Sequence, residues 1–122
     1  PLVSDVEKAY NAPFPNSSYK TVCRAMPSQV PTLPDDEAVE AQKKAWKFFE
    51  KFEKPFLCAF ADNDPITRGM DKPFLEKCPG TKGQKHTILK GAGHFCQETQ
   101  PKEISEIIVK FMKSNGIMNE SN

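Results

Sequence analysis

The clearest pattern in this chain is a pair of short apolar runs, each of which ends in a polar loop. The first run covers about residues 56–61 and leads into an acidic turn at 62–64. The second covers about 85–89 and leads into a glycine-rich loop at 91–94, and a helical pattern at about 70–77 separates the two runs. Strand, helix and strand in this order predict an α/β fold with two parallel strands, whose carboxyl ends meet at one edge of a sheet.

The first predicted strand shows no alternation of apolar and polar residues. Continuous apolar character is typical of strands buried on both faces in a parallel sheet that helices cover. Two strands cannot form such a sheet alone, so the chain either dimerises through its strands or is the C-terminal part of a larger α/β protein. We expect the second arrangement.

Helical patterns fill most of the remaining sequence. Ser4 and Glu7 have the spacing of a capping box, and Ser17 or Ser18 is placed to cap a second short helix. Pro101 stands at the first position of the last helix, where its missing N–H is not needed. The longer helices are predicted at about residues 36–52, 70–77 and 101–113.

Composition argues against two classes of partner. The net charge is +1 and the lysines alternate with acidic residues, so we expect no nucleic-acid binding. No apolar run approaches the ~18 residues of a membrane span, and the first residues do not have the pattern of a signal peptide. We expect no membrane association and a cytoplasmic location.

The cysteines give no sign of a metal site. None of Cys23, Cys58, Cys78 and Cys96 belongs to a C-x-x-C pair, and the histidines do not stand at zinc-ligand spacing. We therefore expect free thiols, which agree with a cytoplasmic protein.

The candidate chemistry lies in the two polar loops. His94 follows Gly-Ala-Gly, where small residues allow a sharp turn, and Asp64 precedes a proline that holds it extended. In a nucleophile–histidine–acid triad, a carboxylate fixes the histidine tautomer and stabilises the imidazolium. We predict that Asp64 and His94 form such a pair. Asp62 is the alternative acid but is better placed to bond its own turn, and His86, inside the second strand, is predicted to be structural.

A nucleophile is the part of the triad that these residues do not supply. In α/β enzymes it stands on a strand–turn–helix elbow with flanking glycines, as in G-x-S-x-G. No Ser, Cys or Asp of the 122 residues has this setting. In the order nucleophile, acid, histidine, the elbow would precede Pro1, so we expect the chain to need an upstream part of its own protein.

Several stretches resemble the haloalkane dehalogenases of the α/β-hydrolase fold, over about residues 6–111. The most specific are Tyr-Asn-Ala-Pro-Phe-Pro at 10–15 and Asp-Pro-Ile-Thr at 64–67, whereas epoxide hydrolases and other relatives share the Gly-Ala-Gly-His-Phe loop at 91–95. Other similar stretches lie at 18–20, 24–27, 30–32, 54–57, 62–69 and 97–98.

This resemblance implies the C-terminal portion of an α/β-hydrolase fold, with its last two parallel strands and their flanking helices. Residues 1–34 would be the end of a helical cap and its return to the core, and residues 35–122 would belong to the core. The implied reaction is cleavage of a carbon–halogen bond through an alkyl-enzyme ester, in which His94 activates water and Asp64 orients His94. No metal or organic cofactor is implied, and the partners are a small apolar halogenated substrate, water and halide.

The resemblance also implies an apolar substrate pocket lined by Met26, Pro27, Val30, Ile66 and Phe95. The halide-binding indole of the family stands beside the absent nucleophile. The only tryptophan here, Trp46, lies on a helical stripe and is predicted to be core.

Other functions remain open at this point. An epoxide hydrolase or a serine-type ester hydrolase of the same fold would carry a similar acid and histidine, and an inactive fragment would carry them without turnover. Epoxide hydrolases use cap tyrosines, and Tyr10 and Tyr19 are the only tyrosines here. The residue on the upstream elbow would separate these classes.

Overall fold

The computed structural model describes residues 3–118 of the chain. The chain divides into two compact units, and the boundary between them in the sequence lies between residues 44 and 45. The helices are α1 (Ser4–Asn11), α2 (Thr21–Ala25), α3 (Ala38–Phe49), α4 (Lys72–Lys77), α5 (Cys96–Thr99) and α6 (Pro101–Ser114), the strands are β1 (Ala59–Ala61) and β2 (Thr87–Leu89), and 3₁₀ turns cover Ser17–Lys20, Met26–Gln29 and Pro79–Thr81.

The first unit consists of short helical segments whose caps differ from those predicted. Val3 is the N-cap of α1 and makes no side-chain hydrogen bond, and its carbonyl accepts from the Glu7 N–H at 3.0 Å. The prediction of a capping box with Ser4 as the N-cap is therefore wrong, because Ser4 already belongs to the helix. The next segment is capped by Asn16, whose Oδ1 accepts from the Ser18 N–H at 3.0 Å. An asparagine side chain readily reaches the backbone two residues ahead, which explains why Asn16 and not a serine takes this position.

The entry to α3 is fixed by Asp36. Its Oδ2 accepts from the N–H groups of Thr32 and Leu33, at 2.6 and 2.8 Å. The bonds from Leu33 and then Thr32 lower the pKa of Asp36 below its ordinary value. A carboxylate thus ends the proline-rich connector just before the helix begins.

The second unit contains the parallel pair that the sequence predicts. Ala59 pairs with Thr87 and Ala61 with Leu89. Both strands are shorter than expected, and the pairing does not extend back to Phe56. Phe56 donates its N–H to the Gly80 carbonyl at 2.9 Å. A Cβ at Gly80 would collide with the Lys54 carbonyl, so this close approach requires glycine.

An aromatic cluster holds α3 and α4 against the segment that leads into β1. Phe56 and Phe74 stack with ring centroids 5.3 Å apart, and Trp46 lies 4.9 Å from Phe74. Phe49 touches both Phe56 and Phe74 edge-on. Each such pair contributes about 0.5–1.5 kcal/mol beyond the area it buries. Trp46 is thus a packing residue, as predicted.

A small buried core lies directly beneath the two polar loops. Ala61, Leu89 and Ala92 are nearly inaccessible, and Ile104 and Ile107 of α6 pack against them. Helix α6 begins at Pro101, as its sequence predicts. The core therefore fixes the strand ends from which both loops emerge. Within residues 3–118, no helix is both long and apolar enough to cross a membrane.

We expect the isolated chain to associate in solution and to unfold with poor cooperativity. Within the described residues β1 and β2 pair only with each other, so the outer edge of each strand is open. Apolar side chains such as Phe48 and Ile88 are also exposed. Light scattering at several concentrations and thermal melting by circular dichroism test this. A sharp melt from a monomer, unchanged by concentration, would contradict it.

Candidate active site

The acid loop and the histidine loop are joined through their backbones. The Asp62 N–H donates to the Leu89 carbonyl at 3.2 Å, and the Asn63 N–H donates to the Ala92 carbonyl at 3.0 Å. These bonds continue the β1–β2 pairing past the last strand residues. The two loops therefore leave the sheet side by side.

Asp64 and His94 meet where these loops emerge. His94 Nδ1 lies 3.1 Å from Asp64 Oδ1 and 3.0 Å from Oδ2. The Asp64 side chain is only 4% exposed, whereas that of His94 is 40% exposed. The pair thus has a buried carboxylate on one side and an imidazole open to solvent on the other.

The buried carboxylate receives further donors from its own loop. Asp64 Oδ1 accepts from the N–H groups of Ile66 and Thr67, at 2.8 and 3.1 Å, and Oδ2 accepts from the Thr67 hydroxyl. Burial raises the pKa of Asp64, but the bonds from Thr67, Ile66 and His94 outweigh it and hold the pKa well below its ordinary range. Asp64 is therefore ionised at neutral pH.

The ionised carboxylate fixes the tautomer of His94. Asp64 can only accept, so His94 Nδ1 carries the proton and Nε2 is left with its lone pair. Within residues 3–118 no hydrogen bond to Nε2 is found. The Phe95 ring stands edge-on to the imidazole with centroids 5.2 Å apart. An imidazole held this way can take a proton at Nε2 and share the resulting charge with Asp64.

The Asp62 side chain does not make the contact predicted for it. It does not bond its own turn, and its Oδ1 instead accepts from the Gly91 N–H of the histidine loop at 2.8 Å. Its Oδ2 lies 3.7 Å from the Lys90 ammonium. Gly91 has φ 72°, which lies in the left-handed region that favours glycine.

His86 has a structural role, as predicted. Its Nδ1 accepts from the Cys58 N–H at 3.1 Å, and its Nε2 lies 2.9 Å from the Thr81 carbonyl. The proton must therefore be on Nε2, the opposite tautomer to that of His94. Both ring nitrogens make hydrogen bonds to backbone groups. These bonds connect the chain segments that lead into β1 and β2.

The residues predicted to line a pocket occupy exposed positions in the two units. Met26 and Pro27 lie in the second 3₁₀ turn of the first unit, and Val30 follows it. Ile66 and Phe95 lie in the second unit, in the acid loop and just after His94, and Met26, Val30, Ile66 and Phe95 are 60–63% exposed. That all five line one pocket stays a prediction.

A cavity of about 300 Å³ lies elsewhere in the second unit. Leu57 and Thr87, at the amino ends of the strand segments, line it together with Ile107 and Phe111 of α6. It contains neither Asp64 nor His94. In the described part of the chain, no three His, Cys, Asp or Glu side chains are grouped closely enough to hold a metal ion.

The sequence of this chain is similar to those of several curated proteins. A haloalkane dehalogenase from Psychrobacter cryohalolentis is 46% identical over 114 residues, or 93% of this chain. The resemblance to haloalkane dehalogenases is confirmed. Haloalkane dehalogenases from Mycobacterium marinum and Mycolicibacterium paratuberculosis are 42% and 40% identical, over 87% and 91% of the chain. No protein-family model matches.

The match covers nearly all of this chain but only part of each relative. The chain spans 38% of the Psychrobacter dehalogenase and 35% and 36% of the other two, in their C-terminal part. Because the match lies in the C-terminal part, the two proteins can be joined in a chimera. The chimera is defined as the unmatched part of the Psychrobacter protein followed by this chain. The chimera is used in the experiments below.

Two contributors to the site were missed from the sequence. Thr67 bonds Asp64 through both its N–H and its hydroxyl, and Asp62 reaches across to Gly91. A signal for Thr67 was present, because a threonine three residues after an aspartate can close a turn on that carboxylate. No comparable local signal exists for Asp62, whose partner is 29 residues away.

We expect the Asp64 carboxyl to stay ionised in the folded chimera at pH 3, where an aspartate at the ordinary pKa of 3.8 is mostly protonated. Since folding depresses the pKa, Asp64 contributes stability above about pH 4, and that contribution falls away as the pH drops further. ¹³C NMR titration of the side-chain carboxyl tests this, with the denatured protein as reference. Titration of folded Asp64 at its ordinary pKa would contradict the described hydrogen bonds.

Proposed function

We propose that this chain supplies the base and the acid of a hydrolase of the haloalkane dehalogenase type, with a nucleophile from residues outside these 122. The observation that carries this proposal is the contact of His94 Nδ1 with the buried Asp64 carboxylate at 3.0 Å. The 40–46% identity to curated dehalogenases supports it. Epoxide hydrolase and ester hydrolase are not favoured, because the relatives compared above are all haloalkane dehalogenases.

In the first step, a carboxylate of the enzyme attacks the carbon that bears the halogen. A carbon–oxygen bond forms, the carbon–halogen bond breaks, and halide leaves with the bonding electrons. The product is an alkyl ester of the enzyme. His94 takes no proton in this step.

In the second step, His94 Nε2 takes a proton from water as the water oxygen attacks the ester carbonyl. Asp64 stabilises the imidazolium that forms, through the bond at 3.0 Å to Nδ1. The tetrahedral intermediate then collapses, and the alkoxide leaves and takes up the proton from His94. The carboxylic acid left on the enzyme releases its proton to solvent, which restores the carboxylate. The net products are alcohol, halide and a proton.

The same proposal assigns residues 1–34 to the end of a cap and residues 35–122 to the last two strands and flanking helices of an α/β-hydrolase core. Met26, Pro27, Val30, Ile66 and Phe95 would form apolar walls for a substrate that offers almost nothing to hydrogen-bond. The cytoplasmic location expected from the sequence remains a prediction.

The chimera tests the proposal directly. We expect it to release halide from a bromoalkane with continuous turnover, because it combines a dehalogenase nucleophile with Asp64 and His94 of this chain. The unmatched Psychrobacter part alone, without any C-terminal part, is the control and should not turn over. A folded chimera that releases no halide would refute the proposed function.

Substitution of His94 separates the two chemical steps. We expect His94→Ala in the chimera to release about one halide per enzyme molecule and then stop, because the ester forms but no base activates water. Mass spectrometry should show the alkyl adduct. The exposed Lys102→Ala variant of α6 should turn over like the unmodified chimera. Full turnover by His94→Ala would show that the base lies elsewhere.

Substitution at the predicted pocket tests the apolar wall. We expect Phe95→Ala to raise KM for a bromoalkane by at least about tenfold, since even one methylene lost from an apolar pocket costs about 1–3 kcal/mol of binding. Ester hydrolysis per bound substrate should change less, because Asp64 and His94 remain. Halide release measured over a range of substrate concentrations gives both quantities. An unchanged KM would remove Phe95 from the pocket.

A further inference from the structure

One peptide plane of the histidine loop is held from both sides. Its N–H, that of Gly91, donates to Asp62 Oδ1 at 2.8 Å. Its carbonyl, that of Lys90, accepts from Gln100 Nε2 at 2.6 Å. Asp62 belongs to the acid loop and Gln100 joins α5 to α6, so three segments of the chain meet at this plane.

The orientation of Gln100 is set by this contact. Its nitrogen must face the Lys90 carbonyl, because an oxygen there would face another acceptor. The opposite atom, Oε1, is buried and has no hydrogen-bond partner within residues 3–118.

The clamped plane stands three residues before His94. Ala92 next to it is fully buried, and its carbonyl accepts from the Asn63 N–H. Ala92 is thus fixed by burial and by this bond, and Gly93 alone separates it from His94. The position of His94 relative to Asp64 depends on where this plane is held.

We propose that Asp62 is a positioning residue that acts through the Gly91 peptide to place His94 on Asp64, with Gln100 holding the other side of the same peptide. This inference rests on the proposed function and adds to it a second carboxylate with a different task. Asp64 bonds the imidazole, whereas Asp62 bonds the backbone that carries the imidazole. The Lys90 ammonium, 3.7 Å from Asp62 and on a largely exposed side chain, is not required for this task.

The test measures the two chemical steps separately in the chimera. Asp62→Ala should slow ester hydrolysis by about tenfold to a hundredfold, because a misplacement of the base on the order of 1 Å costs up to about a hundredfold. The burst of halide from the first step should keep its amplitude. The ratio kcat/KM should stay unchanged, because kcat and KM fall together when only the step after halide release slows. Burst amplitude counts folded active sites, so a loss of fold alone would lower it and leave the hydrolysis rate per site intact.

Asp62→Asn is the matched variant. Its amide oxygen can still accept from the Gly91 N–H, so ester hydrolysis should return to within about twofold of the unmodified chimera if a neutral acceptor suffices. Lys90→Ala should also leave hydrolysis unchanged. If Asp62→Asn is as slow as Asp62→Ala, the charge of Asp62 matters and the proposed backbone clamp is overturned.

A spectroscopic measurement separates this proposal from the proposed function. The His94 Nδ1–H bonded to Asp64 should give a low-field proton resonance in the chimera, whether or not the protein turns over substrate. Asp62→Ala should broaden or remove this resonance and Asp62→Asn should keep it. If the unmodified protein lacks the resonance, the Asp64–His94 pairing and the clamp both fail.

A chimera without turnover would refute the function, and the loss of the resonance in Asp62→Ala would still support the clamp. An Asp62→Ala protein with unchanged hydrolysis and an unchanged resonance would overturn it. If Asp62→Ala does not fold, Gln100→Ala decides, because it releases the same plane from the other side. It should slow ester hydrolysis with an unchanged burst, and equal rates would overturn the clamp.

Discussion

A buried ionised carboxylate has to be surrounded by donors, and the site of this protein is built around Asp64 for that reason. Removing a charge from water is costly unless hydrogen bonds replace the lost hydration. Asp64 is 4% exposed and receives the Ile66 N–H, the Thr67 N–H and hydroxyl, and the His94 Nδ1–H. Three of these donors come from the two residues that follow Pro65. The fourth comes from the other loop, so satisfying the carboxylate also brings the histidine to it.

Two features of the fold bring the two loops together. Parallel pairing of β1 and β2 places two loops at one edge, and the buried Ala61, Leu89 and Ala92 fix where those loops begin. The two histidines differ in the partners of their ring nitrogens. His86 bonds backbone groups through both nitrogens, whereas His94 bonds Asp64 through Nδ1 and has no hydrogen bond to Nε2 within residues 3–118. The partners of each ring, and not the residue type, set which nitrogen carries the proton.

The sequence was sufficient for features that follow from local patterns and from the order of the elements along the chain. The strand–helix–strand order, the start of α6 at Pro101 and the approach of Asp64 to His94 all follow from apolar runs, a proline and loop position. Helix caps were less predictable, because Asn16 and two serines compete within three positions and only the packed backbone decides. The reach of Asp62 to Gly91 depends on how closely two loops approach, which no local pattern encodes. The catalytic role of the pair is a proposal, because none of these 122 residues has the setting of the nucleophile.

We propose that Asp64 holds His94 through Nδ1 and leaves Nε2 free to activate water. A crystal structure of the chimera tests this contact. We expect both Asp64 oxygens about as far from His94 Nδ1 as the 3.0 and 3.1 Å found here, with Nε2 facing the ester-forming carboxylate. A ring turned away from Asp64, or a carboxylate turned toward solvent, would contradict it.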